Sequence, residues 1–418
     1  MKALLYASLL LGLAGACRPT DVPVPYQFDN VPGAGRFSAA VRRATEGVYG
    51  VTDGVSQFGG QVALKWSFLV NGADTSYYLS VFSPLNAGII LLEPGANRDS
   101  LTLTGYWRTL TNTNTGLTQL ALRVRHNGQL RAFAGRFAEG DTVVLSGTFG
   151  NGTDPPSRAL TLTYRRPLNS RPFAILAHRS GGRTSDLLPA SENSVNMVKL
   201  APRLGATGIE VDVRFTKDGV PILYHDNTLN LRLIQKNGLV GDIEKYTYAQ
   251  LSGMVRLIDG QKIPTLMEAL DAVVDNTDLS FVWLDTKFVG NMETIRAIQA
   301  TYRQRAAQRG RTLEIVIGLP SQTAVDLYRA LPNREDAPAL CELDTALVRS
   351  LNARIWAPRW TLGPQTEEVL AMQAEGRRVF VWTLDEPNFI EEFISEGRFN
   401  GILSNYSSVV AYYHYVRP

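Results

Sequence analysis

The sequence predicts an α/β protein, a (β/α)8 TIM barrel preceded by a small antiparallel β domain that is either a sandwich or a barrel. Three observations carry that expectation. Residues 33–165 alternate apolar and polar side chains in short runs punctuated by Asn-Gly pairs. Beyond residue 172 the alternation stops, and apolar runs are separated by amphipathic stretches. That second pattern yields eight candidate strands over roughly 250 residues, the size and rhythm of such a barrel.

A chain of 418 residues, 44% of them hydrophobic, can bury two cores of ordinary size. Lys and Arg total 42 against 39 Asp and Glu, a balance that points to neither a nucleic-acid surface nor a polybasic membrane face. Lys2 precedes an apolar run at 3–13, too short to span a bilayer but suited to a secretory signal. The run ends in Leu13-Ala14-Gly15-Ala16-Cys17, which resembles a bacterial lipobox with Ala14 in place of the more usual leucine. Residues 1–17 are therefore expected to be a lipoprotein-type signal and 18–32 a Pro-rich tether. Lipidation at Cys17 would place the protein in the exported, bacterial cell-envelope compartment and attach it to membrane by the lipid alone. Cys341 is then left without a disulfide partner and reads as a small buried hydrophobe.

In the β region, Val62, Leu64, Trp66 and Phe68 alternate with Ala63, Lys65 and Ser67, and Leu160, Leu162 and Tyr164 with Thr161 and Thr163. Period two means strands with one buried face. Asn71-Gly72, Asn127-Gly128 and Asn151-Gly152 supply the residues that tolerate positive φ in tight hairpin turns. Trp66, Tyr77, Tyr78 and Trp107 either form this domain's core or line a groove, with the core the simpler reading.

A linker around 165–172 leads into the second region, where strand-like runs fall at 173–177, 208–213, 279–284, 313–317, 339–343, 354–357, 378–383 and 401–403. Amphipathic stretches at 265–274, 293–309, 323–330, 366–375 and 391–396 occupy most of the intervals. A doubly wound open sheet would carry a full Gly-rich fingerprint after its first strand, and Ser180-Gly181-Gly182 falls short of one.

The chemistry concentrates at the ends of these runs. Residues two apart in a strand point to one side, so Glu210 and Asp212 project together while Ile209, Val211 and Val213 face the other way. Inside a barrel such a pair needs a cation or hydrogen-bonding partners. The same spacing puts Asp285 and Lys287 on one face of the third strand. Each pair alone would suit a buried salt bridge, but recurrence at successive strand ends points to a site. Two of the four histidines, His178 and His225, fall beside these carboxylates, where imidazoles can move protons near neutral pH. His126 and His414 lie elsewhere and read as structural.

The stretch from about Phe173 to Ser408 resembles the glycerophosphodiester phosphodiesterase family. The resemblance rests on the order of His178-Arg179, Ser191-Glu192-Asn193-Ser194, Gly208-Ile209-Glu210-Val211-Asp212-Val213, Thr216-Lys217-Asp218-Gly219-Val220-Pro221 and His225-Asp226. Ile263-Pro264-Thr265-Leu266, Asp285-Thr286-Lys287, Val381-Trp382-Thr383 and Gly401-Ile402-Leu403-Ser404 follow. It implies metal-dependent hydrolysis of a small glycerophosphodiester to glycerol 3-phosphate and an alcohol, favouring a route through a cyclic phosphate. By the same resemblance His178 and His225 are acid and base in an order the sequence leaves open. Glu210, Asp212 and Asp285 hold one divalent cation, Arg179 and Lys287 hold the phosphate, and Trp382 is a further candidate. An all-oxygen ligand set favours Ca²⁺ or Mg²⁺. Three departures stand out: Asp285 replaces a glutamate and is one methylene shorter, Arg179-Ser180-Gly181 replaces Arg-Gly, and Ser404-Asn405-Tyr406 replaces Thr-Asp-Tyr. Glu192 could contribute near the metal or cap the following helix. Two further readings stay open: a phospholipase D-like activity on lysolipid or sphingolipid head groups, and an inactive surface-binding lipoprotein. Nothing in the sequence sets the oligomeric state.

Overall fold

The computed structural model describes residues 37–97, 100–110, 114–133, 136–286 and 290–418; the expected signal, the tether, Cys17 and Lys287 lie outside them. Two closed sheets follow one another along the chain. In the first, the antiparallel strands Gly47–Asp53, Gln61–Asn71, Asp74–Phe82, Gly88–Asn97, Ser100–Thr109, Thr115–His126, Thr142–Phe149 and Arg158–Arg166 form a ring. Of the sandwich and the barrel, the barrel is what forms. The predicted Asn-Gly pairs turn its hairpins, and Asn127 and Gly128 take φ of 48° and 79°, as a turn matched to strand twist requires. Trp66 and Trp107 are core residues whose indole N–H groups donate to Thr45 Oγ1 at 2.9 Å and the Gly150 carbonyl at 2.7 Å.

The second sheet is a closed parallel barrel of eight strands, Ala174–Ala177, Gly208–Phe215, Phe281–Asp285, Glu314–Leu319, Ala339–Cys341, Ile355–Trp356, Arg378–Val381 and Gly401–Ser404. The first strand pairs with both the second and the eighth, which excludes the open sheet. All eight expected strand positions are occupied. Inward side chains such as Leu176, Phe281, Trp283, Val316, Leu340 and Phe380 fill the barrel, and outward ones pack on the surrounding helices. Between the second strand and helix Leu266–Asn276 the chain makes an excursion, residues 216–265, with its own small core around Ile222, Tyr224, Leu233, Ile243 and Leu251.

One expectation about the first region needs correction. Its strands do not bury a single face, because Ala63, Phe82, Ile89 and Leu91 point out of the first barrel into a core shared with the second. The last helix, Ser407–Tyr415, packs between the two. Gly205 lies where they approach: its φ is +89°, and an added Cβ would come within 2.6 Å of Ala411 Cβ and 3.0 Å of the Phe82 ring. Tyr78 serves the same junction, with the Arg203 guanidinium 3.2 Å above its ring.

Candidate active site

The second barrel strand sets the geometry. Ile209, Val211 and Val213 join the outer core, so Glu210 and Asp212 face inward, 3% and 1% exposed. The third strand runs parallel in register, Glu210 beside Trp283 and Asp212 beside Asp285. One carboxylate oxygen from each of Glu210, Asp212 and Asp285 lies within 4.8 Å of the others. Register thus keeps Asp285 in the cluster despite its shorter side chain. Asn193 Nδ2 donates to Asp212 Oδ2 at 2.8 Å, and the Arg179 backbone N–H to Glu210 Oε2 at 2.8 Å. Three buried carboxylates in one place would repel one another strongly unless held ionised by positive charge. Their all-oxygen donor set fits a hard divalent cation, so the cluster could hold a metal ion.

His178 follows the first strand, after which Arg179 and Ser180 take left-handed φ of 53° and 71°. That reversal is what brings the Arg179 N–H back onto Glu210, a local strain of the kind found at functional sites. Asn405 Nδ2 donates to Asp385 Oδ2 at 2.7 Å, so its Oδ1 faces His178 and accepts from Nδ1–H at 2.9 Å. The lone pair therefore sits on Nε2, 3.7 Å from Glu210 Oε2. Burial, reinforced by the charge of Arg179, pushes His178 down to about 3. Asn405 thus orients the imidazole, and Asp385 supplies the carboxylate one residue further out.

His225 follows the short strand Pro221–Leu223, which hairpins onto the second barrel strand. Its Nδ1 lies 2.6 Å from Asp226 Oδ1, and Arg179 NH2 donates to its Nε2 at 2.9 Å. Burial opposes ionisation of Asp226, yet hydrogen bonds from Arg232, His225 and Asn230 outweigh it and hold that carboxyl well below the usual range. Arg179 NH1 donates to Glu192 Oε1 at 2.9 Å.

Glu192 departs from both expectations. It is outside the three-carboxylate cluster, and Ser194, not Glu192, caps helix Val195–Leu200 by accepting from the Met197 N–H. It is 2% exposed, and its oxygens are taken by two guanidiniums, Arg179 and Arg232, and by the Thr184 N–H. Trp382 does reach the site: with Trp283 and Arg359 it walls a cavity of about 360 Å³ whose other side carries His178, Glu210 and Asp285. A larger hollow of about 790 Å³ opens where the strands begin, beside Glu314, Ala339 and Arg378. The smaller cavity is the relevant one, because catalytic groups of such barrels gather where the strands end.

Sequence reasoning overlooked Arg232 and Asp385. Each belongs to a loop and acts on another side chain, and no strand or helix period marks such a residue.

The chain resembles known proteins over this same region. The model of the "Glycerophosphoryl diester phosphodiesterase family" matches residues 178–407, more than half of the 418. Human "Glycerophosphodiester phosphodiesterase 1" is 35% identical over 136 residues, 31% of this chain and 38% of that protein. "Probable glycerophosphodiester phosphodiesterase 2" of Mycobacterium tuberculosis is 29% identical over 229 residues, 52% of this chain and 82% of that one. The match thus spans 38% of the length of the human relative. Among solved structures, an Oleispira antarctica phosphodiesterase in complex with the product sn-glycerol-3-phosphate aligns at TM-score 0.44 and 19% identity, covering 56% of this chain and 94% of that one.

Proposed function

Because the chain belongs to the glycerophosphoryl diester phosphodiesterase family, we propose that it hydrolyses glycerophosphodiesters to glycerol 3-phosphate and an alcohol, with the help of a divalent cation. The observation that carries this reading is the convergence at one barrel mouth of two differently held histidines, a guanidinium and three carboxylates. A phosphodiester is anionic and resists attack, so its charge must be offset, a nucleophile deprotonated and the leaving alkoxide protonated.

Glu210, Asp212 and Asp285 would hold the cation, and Ca²⁺ or Mg²⁺ suits their oxygens. When bound, it supplies charge neutralisation and polarisation of the phosphoryl oxygens. Arg179 binds and orients the phosphate, with Lys287 proposed beside it. Neutral His178, its lone pair on Nε2 toward the cluster, takes the proton of the attacking hydroxyl, either the neighbouring glycerol hydroxyl or water. Once Arg179 has left Nε2 for the phosphate, His225 takes up a proton there from solvent, the Asp226 carboxylate behind Nδ1 stabilising the imidazolium, and gives that proton to the departing alkoxide. The walls of Trp283 and Trp382 limit water around the reacting groups.

The test is release of glycerol 3-phosphate from glycerophosphocholine by the purified full chain. Activity should vanish on chelation and return with Ca²⁺ or Mg²⁺. Full turnover in metal-free protein would remove the cation from the reading, and no turnover of deacylated glycerophosphodiesters, beside cleavage of lysophosphatidylcholine, would replace it with the phospholipase D-like one. We further propose export and lipid anchoring through Cys17. Mass spectrometry of protein made in a bacterial host with the lipoprotein pathway should find a lipid on Cys17 as first residue; an unmodified N-terminus would end that proposal.

A further inference from the structure

Arg232 lies in the excursion between the second barrel strand and helix Leu266–Asn276. Its neighbours Leu229, Leu233 and Ile234 are buried in that excursion's own core, so the backbone carrying Arg232 is anchored. Its guanidinium grips two carboxylates at once. NH1 donates to Glu192 Oε1 and Oε2 at 3.2 and 3.1 Å, while Nε and NH2 donate to Asp226 Oδ2 and Oδ1 at 3.1 and 2.7 Å. Asn230 Nδ2 adds a bond to Asp226 Oδ2 at 2.8 Å.

Followed onward, these bonds close on themselves. Glu192 holds Arg179 NH1, Arg179 NH2 holds His225 Nε2, and His225 Nδ1 holds Asp226 Oδ1. The ring contains two carboxylates, two guanidiniums and one imidazole, and two of its members are the groups assigned above to proton donation and phosphate binding. Resting on that hydrolytic reading, we propose that Arg232 is a positioning residue: by clamping Asp226 and Glu192 together it fixes the tautomer and plane of His225 and the direction in which Arg179 is presented.

A carboxylate bonded only to an imidazole can rotate about its own side-chain torsions and keep that bond in many geometries. A planar guanidinium fork engaging both Asp226 oxygens removes that freedom. Glu192 is subject to the same logic. It is buried and shared between two guanidiniums, and losing one leaves its whole charge to Arg179, which would be drawn toward Glu192 and away from a phosphate. Arg232 belongs to neither the three-carboxylate cluster nor the lining of the cavity beside it. Its removal should therefore spare cation affinity and the hold on the substrate's other arm, and slow the chemical step.

The experiment compares wild type, Arg232→Met and Arg232→Lys in the full chain with glycerophosphocholine and saturating Mg²⁺, following kcat, KM and the Mg²⁺ activation midpoint. Nitrogen-15 NMR of the His225 ring reports its tautomer. The expected result for Arg232→Met is a kcat lower by roughly 10–100-fold, as for loss of an orienting group behind a first-line residue. The activation midpoint should stay within about threefold, KM should rise by less than kcat falls because only the Arg179 hold on the phosphate is weakened, and His225 should lose its single Nδ1–H tautomer. Arg232→Lys, which can grip one carboxylate at a time, should recover part of the loss. The proposal is overturned if Arg232→Met turns over at the wild-type rate, if its loss lies wholly in KM, or if His225 keeps its tautomer. If the methionine variant does not fold, the lysine variant decides on the same readouts. If wild type releases no glycerol 3-phosphate, the hydrolytic reading fails, and the tautomer comparison still decides whether Arg232 orients His225.

Discussion

An amide oxygen accepts a hydrogen bond from a neutral imidazole, but a carboxylate does more, because it also stabilises the imidazolium. His178 is held by the Asn405 amide and His225 by the Asp226 carboxylate, so the two rings, alike in sequence context, are unlike in chemistry. Alanine at either position should cost roughly two to four orders of magnitude in kcat with folding intact. A better discriminator is the leaving group. A p-nitrophenyl phosphodiester departs without protonation, so it should restore much of the relative rate of His225→Ala and little of that of His178→Ala. Rescue of the His178 variant instead would exchange the two roles. Strand parity made Glu210, Asp212 and Asp285 legible in advance, and position at strand ends did the same for the histidines. Glu192 was visible as a candidate, but what it holds was not, since its partners Arg179 and Arg232 lie 13 and 40 residues away. Side chains that act through other side chains leave no period in a sequence.

Elements whose burial is one-sided were the easiest to foresee. Helix Leu266–Asn276 carries a stripe toward the barrel and a signal at its start: Thr265 Oγ1 accepts from the Glu268 N–H at 3.1 Å, and Glu268 Oε2 accepts from the Thr265 N–H at 3.0 Å. That reciprocal cap satisfies two N–H groups the helix itself leaves open. Thr265→Ala should lower stability by about 1 kcal/mol, read as a shift in urea midpoint at constant slope, while turnover stays at the wild-type level because the helix lies outside the barrel. A large loss of turnover would mean that this end of the helix supports the site. Helix Ser407–Tyr415 escaped prediction for the opposite reason. Eight of its nine residues are buried, so it has no polar stripe to give it a period. The excursion at 216–265 also escaped, since its small core is assembled from short, irregular pieces.

At the scale of the whole molecule that last helix is the common support of the two barrels, packing on strands of both. The linker between the barrels is clamped to it, the Asn169 N–H and Nδ2 donating to the carbonyls of Tyr415 and His414 at 3.0 and 3.1 Å. Turn residues at 165–172 marked a linker in the sequence but not its clamping, because they occur in loose and clamped connections alike. His414 makes this junction sensitive to acid. Its ring is 6% exposed and stacks on Phe173 at 5.0 Å, and burial, aided by the charge of Arg417, lowers it to about 4. An unfolded histidine titrates near about 6.5. Below that pH the unfolded chain binds the proton and the folded chain does not, so stability present above about 6.5 is lost progressively as pH falls toward the folded value. The expected loss from this group is about 2 kcal/mol between pH 7.5 and 5. His178 is displaced in the same direction, so the measurement must be a difference. Urea unfolding of wild type and His414→Gln at the two pH values should show the variant less stable at pH 7.5 but losing about 2 kcal/mol less on acidification. Since the helix serves both barrels, the transition should remain single throughout. Equal acid sensitivity in the two proteins would show that protonation of His414 does not loosen the junction, and a separate early transition would show that the barrels unfold independently of the helix between them.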